Sequence, residues 1–403
     1  MNTYYLILSA CALIIGSYLI NLYTNKRGIP SVLVLLVAGI LCREVLKINN
    51  VDVSFPRQPV ELLGIIGLIM IVLEAGLDIT ITNKHQLKLV RNAFFSAIMI
   101  LLLSAAVCSA FIYYYLSEPL LNCIVYSIPF SIVSSAIVLP SVSHLSDEKK
   151  EFLVYETSFS DILGIMLFNY VIAGNILEAA SIGWFLGSVL FGLVISVVLS
   201  LLLLYLLTRI TTKVRFFLIF AVLIFLYAGG KLLHLPALVV ILLFGLTVSN
   251  FENRFLLKFK QWIEPKKAAE VRVLLHSVTA ETSFLVRTFF FFMFGLSIDI
   301  HLILDANVVI AGSSMVILLF FIRYLYLRFF LKAHIFPELF FMPRGLITIL
   351  LFYSIPSTLR LKDFNEGILL FVILATGLIM TAGSLLYGKK DIVAINDENP
   401  VTE

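Results

Sequence analysis

The 403-residue chain is 61% hydrophobic and only 13% charged, with a mean hydropathy of +1.04 and a formal net charge of +4. Soluble domains carry about 25% charged residues, so this chain has too little polar surface to face water on all sides. Its four cysteines form no Cys-x-x-Cys pair and no Cys/His cluster, and we therefore expect neither a metal site nor a disulfide framework. No cofactor is expected either.

Apolar windows predict thirteen membrane spans, because a helix needs about 20 apolar residues to cross the hydrocarbon core. No basic segment precedes the first window, which is therefore predicted to be a span and not a cleaved signal. The predicted spans are 4–22, 29–46, 61–79, 92–115, 120–142, 152–173, 183–208, 215–230, 235–249, 282–299, 306–325, 336–354 and 367–386. The pattern indicates an all-α polytopic membrane protein.

Basic residues are distributed unequally between alternating loops. With the N-terminus outside, 21 of the 29 Lys and Arg residues lie in inner loops, 6 in outer loops and 2 within spans. Cytoplasmic loops are enriched in Lys and Arg, so the N-terminus is predicted outside and the C-terminus inside. A single transmembrane unit over residues 1–388 is expected, followed by a short cytoplasmic tail, 389–403, that leaves no room for a nucleotide-binding module.

Two parts of the chain resemble each other. Residues 29–39 match 235–245 at an offset of 206, and the Gly-Leu pair at Gly76 matches the pair at Gly295 at an offset of 219. Both offsets separate spans that are seven apart, and an odd separation turns the second copy upside down in the membrane. Inverted-topology repeats are typical of secondary transporters, whose ion site lies near the midplane.

Two spans contain residues that interrupt helices. Span 5 carries Ser134-Ser135 followed by Pro140, and span 12 carries the sequence Pro343-Arg344-Gly345. Proline removes a backbone donor and glycine weakens a helix, so backbone groups are freed at these points. We expect two broken helices that cross near the midplane and line a cavity.

A charge within the membrane is costly and usually serves binding or pairing. Asp161, in the middle of span 6, is the strongest candidate for an ion or proton site, and Thr157 lies one helical turn earlier on the same face. Glu156 points elsewhere, and an ion pair with Arg344 would neutralise both side chains. Glu74, near the inner end of span 3, is equally compatible with a solvated side chain and with a site role.

These residues resemble a known family. The segment 134–168, the Glu-Ala-Gly-Leu sequence at 74–77 and the Pro-Arg-Gly-Leu sequence at 343–346 are similar to the monovalent cation:proton antiporter superfamily, in particular the NhaP-like sodium/proton exchangers. The resemblance covers nearly the whole chain and implies a homodimer. It also implies an ion-carrying bundle that moves against a dimer scaffold, with the bundle at about 92–173 and 306–388 and the scaffold at about 4–79 and 183–299.

The resemblance also assigns residue roles. Asp161 matches the essential ion-binding aspartate, and Glu156 matches the glutamate that pairs with the arginine of span 12, here Arg344. Thr157 and Glu74 match positions that contribute to cation binding in some members. Arg323 matches a basic position in span 11.

The chain departs from the family pattern at two places. Ser160 stands where Asn or a second Asp usually precedes the ion-binding aspartate. Ser134 and Ser135 replace the usual Thr-Asp of span 5 and are closer to the Ser-Ser-Thr of potassium-efflux members. The candidate ion site therefore consists of Asp161 and Thr157 with these three serines and Glu74.

The expected function is exchange of a monovalent cation, Na⁺ first, for H⁺ in a bacterial inner membrane. Exchange of K⁺ for H⁺, or potassium efflux, is the alternative. An organic-solute carrier, which also fits an inverted repeat, and a membrane receptor, which needs none, are less favoured. No spacing of an intramembrane protease is present, so an enzyme is not expected. Lipid and a second copy of the chain are the expected partners, and nucleic acid is not.

Overall fold

A computed structural model describes residues 3–25, 29–49, 57–80, 84–142, 145–173, 179–209, 215–232, 237–251, 265–331 and 335–398. These residues form helices and connecting segments and no strand, as the all-α prediction requires. The α-helices are α1 Thr3–Asn25, α2 Ser31–Ile48, α3 Arg57–Asp78, α4 Lys84–Leu116, α5 Leu120–Ser131, α6 Ser135–Val138, α7 Asp147–Ile172, α8 Ala179–Arg209, α9 Arg215–Leu232, α10 Ala237–Ser249, α11 Pro265–Ser297, α12 Ala306–Tyr326, α13 Leu346–Tyr353 and α14 Gly367–Glu398.

Several of these helices are long and apolar enough to cross a membrane. Among the described residues, five stretches meet both criteria: Ile7–Thr24, His85–Leu116, Leu120–Ser141, Ala306–Leu331 and Gly367–Tyr387. Three shorter apolar stretches accompany them, at Val194–Leu206, Phe220–Gly230 and Leu238–Ser249. A protein with several membrane-spanning helices follows, whereas the number thirteen stays a prediction.

The chain forms two compact units, which are described separately. The first comprises Met1–Gly64, Asn92–Phe168 and Leu285–Glu403, and the second comprises Ile65–Arg91 and Asn169–Phe284. In the first unit α12 packs against α14 and α5 against α13. In the second unit α10 packs against α8 and α9.

One close helix contact in the first unit depends on two glycines. Gly39 of α2 faces Gly295 of α11, and a side chain at Gly39 would overlap the carbonyl oxygen of Phe292. Arg43, one turn beyond Gly39, donates to the carbonyl of Ser297 at 2.8 Å. Small residues let the two backbones approach within contact distance.

The second unit contains an equivalent contact. Gly76 of α3 faces Gly245 of α10, and a side chain at Gly76 would lie 2.7 Å from the carbonyl oxygen of Leu242. Ser249, one turn beyond Gly245, donates to the carbonyl of Leu77 at 2.7 Å.

The two contacts correspond to each other in the repeat found in the sequence. That repeat equates Gly39 with Gly245 and Gly76 with Gly295, so the contact of Gly39 with Gly295 corresponds to the contact of Gly245 with Gly76. The polar residues beside the two contacts, Arg43 and Ser249, correspond at the same offset of 206. Such a correspondence is what a duplicated set of helices produces. The inverted orientation of the second copy stays a prediction.

Candidate functional site

The helix of predicted span 5 is interrupted in the first unit. α5 ends at Ser131 and α6 begins at Ser135, while Ile132 and Ser134 adopt extended conformations. The backbone amide of Ser134 donates to the carbonyl of Pro343 at 2.9 Å and not to its own helix.

Predicted span 12 is interrupted as well. Residues 335–345 are not helical, and α13 begins only at Leu346. A side chain at Gly345 would lie 2.6 Å from the hydroxyl of Ser134, so glycine permits the two segments to touch. The two interruptions therefore meet, and their depth in the membrane stays a prediction.

Asp161 of α7 lies against the start of α6. It is 1% exposed, and its Oδ2 accepts hydrogen bonds from the backbone amide of Ser135 at 3.1 Å and from the Ser135 hydroxyl. Its Oδ1 is buried and has no hydrogen-bond partner in the described part of the chain. Ser135, at the start of α6, thus binds one carboxylate oxygen of Asp161, whereas the other oxygen has no partner among the described residues.

The other predicted ligands differ in what they contact. Ser160 accepts a hydrogen bond from the backbone amide of Val133 at 3.0 Å and so supports the interrupted segment. The Ser134 hydroxyl is buried without a partner among the described residues. Thr157 donates to the carbonyl of Leu153 at 2.8 Å, which leaves its lone pairs available. Glu74 lies on α3 in the second unit and is half-buried.

Glu156 pairs with an arginine other than the one predicted. Arg323 of α12 donates from Nη2 to Oε2 of Glu156 at 2.7 Å and from Nη1 to Oε1 at 3.3 Å. Both side chains are 1% exposed, and Ser96 of α4 donates to the same Oε1 at 2.6 Å. The predicted ion pair of Glu156 with Arg344 is therefore wrong.

Arg344 satisfies its guanidinium with carbonyl groups. Its Nε donates to the carbonyl of Phe130 at 2.5 Å and its Nη1 to that of Met342 at 2.6 Å. Phe130 lies in the last turn of α5, whose carbonyls carry partial negative charge and lack helical partners. The freed carbonyls at the two interruptions thus replace a carboxylate as the counter-charge, which sequence reasoning did not anticipate.

Two further polar residues were missed by the sequence analysis. Ser96 gives no pattern that separates it from other serines in apolar helices. Glu338, in the non-helical segment before α13, is only 8% exposed, and its Oε2 has no hydrogen-bond partner among the described residues. Its position in an otherwise apolar run of span 12 is the signal that could have revealed it.

The geometry around Asp161 suits reversible binding of a small positive charge. A buried carboxylate with an unpartnered oxygen is costly unless it takes up a proton or a cation. No group of three or more His, Cys, Asp and Glu side chains among the described residues could hold a metal ion.

Helices that cross a membrane, two interruptions in contact and a buried carboxylate at one of them are the features of a secondary ion transporter. The chain belongs to the sodium/hydrogen exchanger family, whose description is "Sodium/hydrogen exchanger, transmembrane", with residues 10–386 matched. This family consists of sodium/proton exchangers and not of enzymes, so the ions that are moved are its substrates and no cofactor takes part.

Solved structures support the fold. The chain is similar to the sodium proton antiporter MjNhaP1 from Methanocaldococcus jannaschii at pH 8, with a TM-score of 0.69, 18% identity and coverage of 98% of this chain and 99% of that one. An electron-microscopy map of the same antiporter gives a TM-score of 0.70 and 17% identity over 100% of both chains. No curated protein matches the chain.

Proposed function

We propose that Asp161 is the shared binding site through which the chain exchanges Na⁺ for H⁺. The observation that carries the proposal is the free Oδ1 of a buried carboxylate whose Oδ2 is held by Ser135. Antiport follows because two ligands compete for one group, so the site returns across the membrane with one or the other.

The hydroxyls near the interruption supply the remaining ligands in this proposal. Ser134 and Ser135 flank the start of α6, and Thr157 lies one turn before Asp161 on α7. Glu74, on α3 of the second unit, stays a prediction from the family resemblance. Ser160, whose oxygen accepts from a backbone amide, takes a supporting role next to them.

Transport is proposed to proceed by alternating access in a homodimer in the bacterial inner membrane, with the N-terminus outside and the C-terminus in the cytoplasm. Two copies of an inverted repeat give two states of similar energy, which a carrier needs. In this mechanism the bundle, 92–173 and 306–388, moves against the scaffold.

Proton flux in proteoliposomes tests the proposal. The wild-type chain is challenged separately with Na⁺, Li⁺ and K⁺, and Asp161→Asn is expected to abolish exchange with all three. Asp147→Asn, an exposed carboxylate in the first turn of the same helix, is the matched control and should retain it. Exchange by Asp161→Asn at the wild-type rate would refute the assignment. Exchange by the wild-type chain with K⁺ alone would show that the transported cation is potassium and not sodium.

A further inference from the structure

Glu338 is a buried carboxylate that the exchange at Asp161 does not use. It follows Pro337 in the non-helical segment between α12 and α13, and it is only 8% exposed. Its Oε2 has no hydrogen-bond partner in the part of the chain that the structure describes. A carboxylate so placed needs a positive charge close by.

The charged groups around Glu338 come from two helices. Arg323 of α12 donates from Nε to the backbone carbonyl of Glu338 at 2.9 Å. Among the residues that the structure describes, Arg323, Glu156 and Lys149 are the ionisable groups that interact electrostatically with the Glu338 carboxylate. Lys149, in the first turn of α7, is half-buried.

The guanidinium of Arg323 is already committed to another carboxylate. Both of its terminal nitrogens bind Glu156, so neither of them is available to Glu338. The half-buried Lys149 is the positive neighbour that remains, and Oε2 of Glu338 accepts no hydrogen bond from it. Protonation of Glu338 removes its buried negative charge without moving any other group.

We propose that Glu338 is a second proton-binding carboxylate of this protein, separate from Asp161, which exchanges its proton with the predicted cytoplasmic side. The proton-binding role itself does not rest on the proposed function; its orientation and its effect on the ion site do. Because the proton enters and leaves on one side, it does not take part in net transport.

Loss of this proton has a structural consequence. The ionised Glu338 competes with Glu156 for Arg323, and Glu338 lies on the segment that leads to Pro343 and Arg344. Pro343 accepts the hydrogen bond from Ser134 at the interruption next to Asp161. Deprotonation of Glu338 therefore weakens the support of the ion site at alkaline pH.

Infrared difference spectroscopy of the purified full chain tests the proposal directly. In an Asp161→Asn background, raising the pH should remove the carbonyl-stretch band of a protonated, buried carboxyl group. This band should be absent from Asp161→Asn/Glu338→Gln at every pH. It should be present in Asp161→Asn/Glu148→Gln, the matched control, because Glu148 is an exposed glutamate on α7. Glu338→Asp should retain the band at a shifted frequency. If the glutamine variant fails to fold, this shift assigns the band to residue 338 in its place.

Three outcomes would overturn the proposal: an unchanged band in the double variant, no titration of the band, or loss of the band on addition of Na⁺ at constant pH. The last result would make Glu338 a cation site. In otherwise wild-type protein, Glu338→Gln mimics the protonated form and should extend transport to higher pH. The spectroscopic result does not depend on transport, so it stands even if Asp161→Asn still exchanges ions.

Discussion

Arg323 and Glu156 form a two-pronged ion pair, with distances of 2.7 and 3.3 Å, between α12 and α7 in the first unit. The pair is nearly inaccessible to solvent, at 1% exposure for each side chain. Arg323 also binds the carbonyl of Glu338, so it connects two helices and the non-helical segment that leads to Arg344. Arg323 is therefore a structural link within the predicted ion-carrying bundle.

Removal of either partner should destabilise the protein. Glu156→Ala or Arg323→Ala leaves an uncompensated buried charge, with an expected cost of about 3–5 kcal/mol. We expect a lower apparent Tm and a lower yield of purified protein for both variants. Thermal unfolding in detergent, followed by fluorescence-detected size-exclusion chromatography, measures this effect.

A nearby arginine provides the control for that experiment. Arg328 is exposed, and Arg328→Ala should leave the apparent Tm within experimental error of the wild type. Normal stability of both Glu156→Ala and Arg323→Ala would contradict the structural role of the pair.

Ser135 and Ser160 are expected to have different functions, although both lie next to the interruption. Ser135→Ala removes the hydroxyl that donates to Asp161. The ionised form of Asp161 is then less stable relative to the protonated form, so Na⁺ competes less well with H⁺ for the site. One lost hydrogen bond to a charged group is worth about 1.5–3 kcal/mol, so the apparent KM for Na⁺ should rise about tenfold or more.

Ser160→Ala instead removes the acceptor for the buried amide of Val133. An unsatisfied buried amide costs about 1–3 kcal/mol, so this variant should lose stability with little change in KM. Flux measurements as a function of Na⁺ concentration, together with apparent Tm values, distinguish the two effects. The same change in KM for both serines would argue against separate functions.

The sequence predicted the helical class and the family, because hydropathy and short motifs are local signals, whereas the role of Asp161 in span 6 stays a prediction. Pro343 and Gly345 do lie in the non-helical segment of span 12, whereas the interruption of span 5 falls at Ile132–Ser134 and not at Pro140. The partner of Glu156 could not be predicted in the same way. Arg323 and Arg344 lie in neighbouring predicted spans, and either could have paired with Glu156. Arg344 instead binds a carbonyl group at the end of α5, a contact that forms only in the folded chain.

The paired glycines should be sensitive to the smallest side chain. Gly39→Ala and Gly76→Ala each place a methyl group against the backbone of the facing helix, and overpacking of this kind costs about 1–3 kcal/mol. Gly16 of α1 has no neighbouring atom within 4 Å of the place that a methyl group would take, so Gly16→Ala should be neutral or gain up to about 1 kcal/mol from helix propensity. Apparent Tm values in detergent test the contrast, and equal values for all three variants would refute it.

Exchange should be electroneutral, with one cation moved for one proton. Asp161 is the carboxylate with a free oxygen next to the interruption, whereas Glu156 is neutralised by Arg323. Ser160 and Ser135, the polar residues beside Asp161, add no charge, because a serine does not ionise in the physiological range. The site therefore carries the same net charge with a cation as with a proton.

Two other carboxylates could alter that count. Glu338 leaves it unchanged if its proton enters and leaves on one side, but Glu74 would add a moving charge if it titrated during the cycle. Transport at fixed ion gradients, with and without an imposed potassium–valinomycin potential, decides between these cases. An unchanged rate is expected, because a carrier with constant net charge does no work against the potential. If the rate depends on voltage, a second charge moves, and Glu74→Gln should restore independence from voltage whereas Glu338→Gln should not.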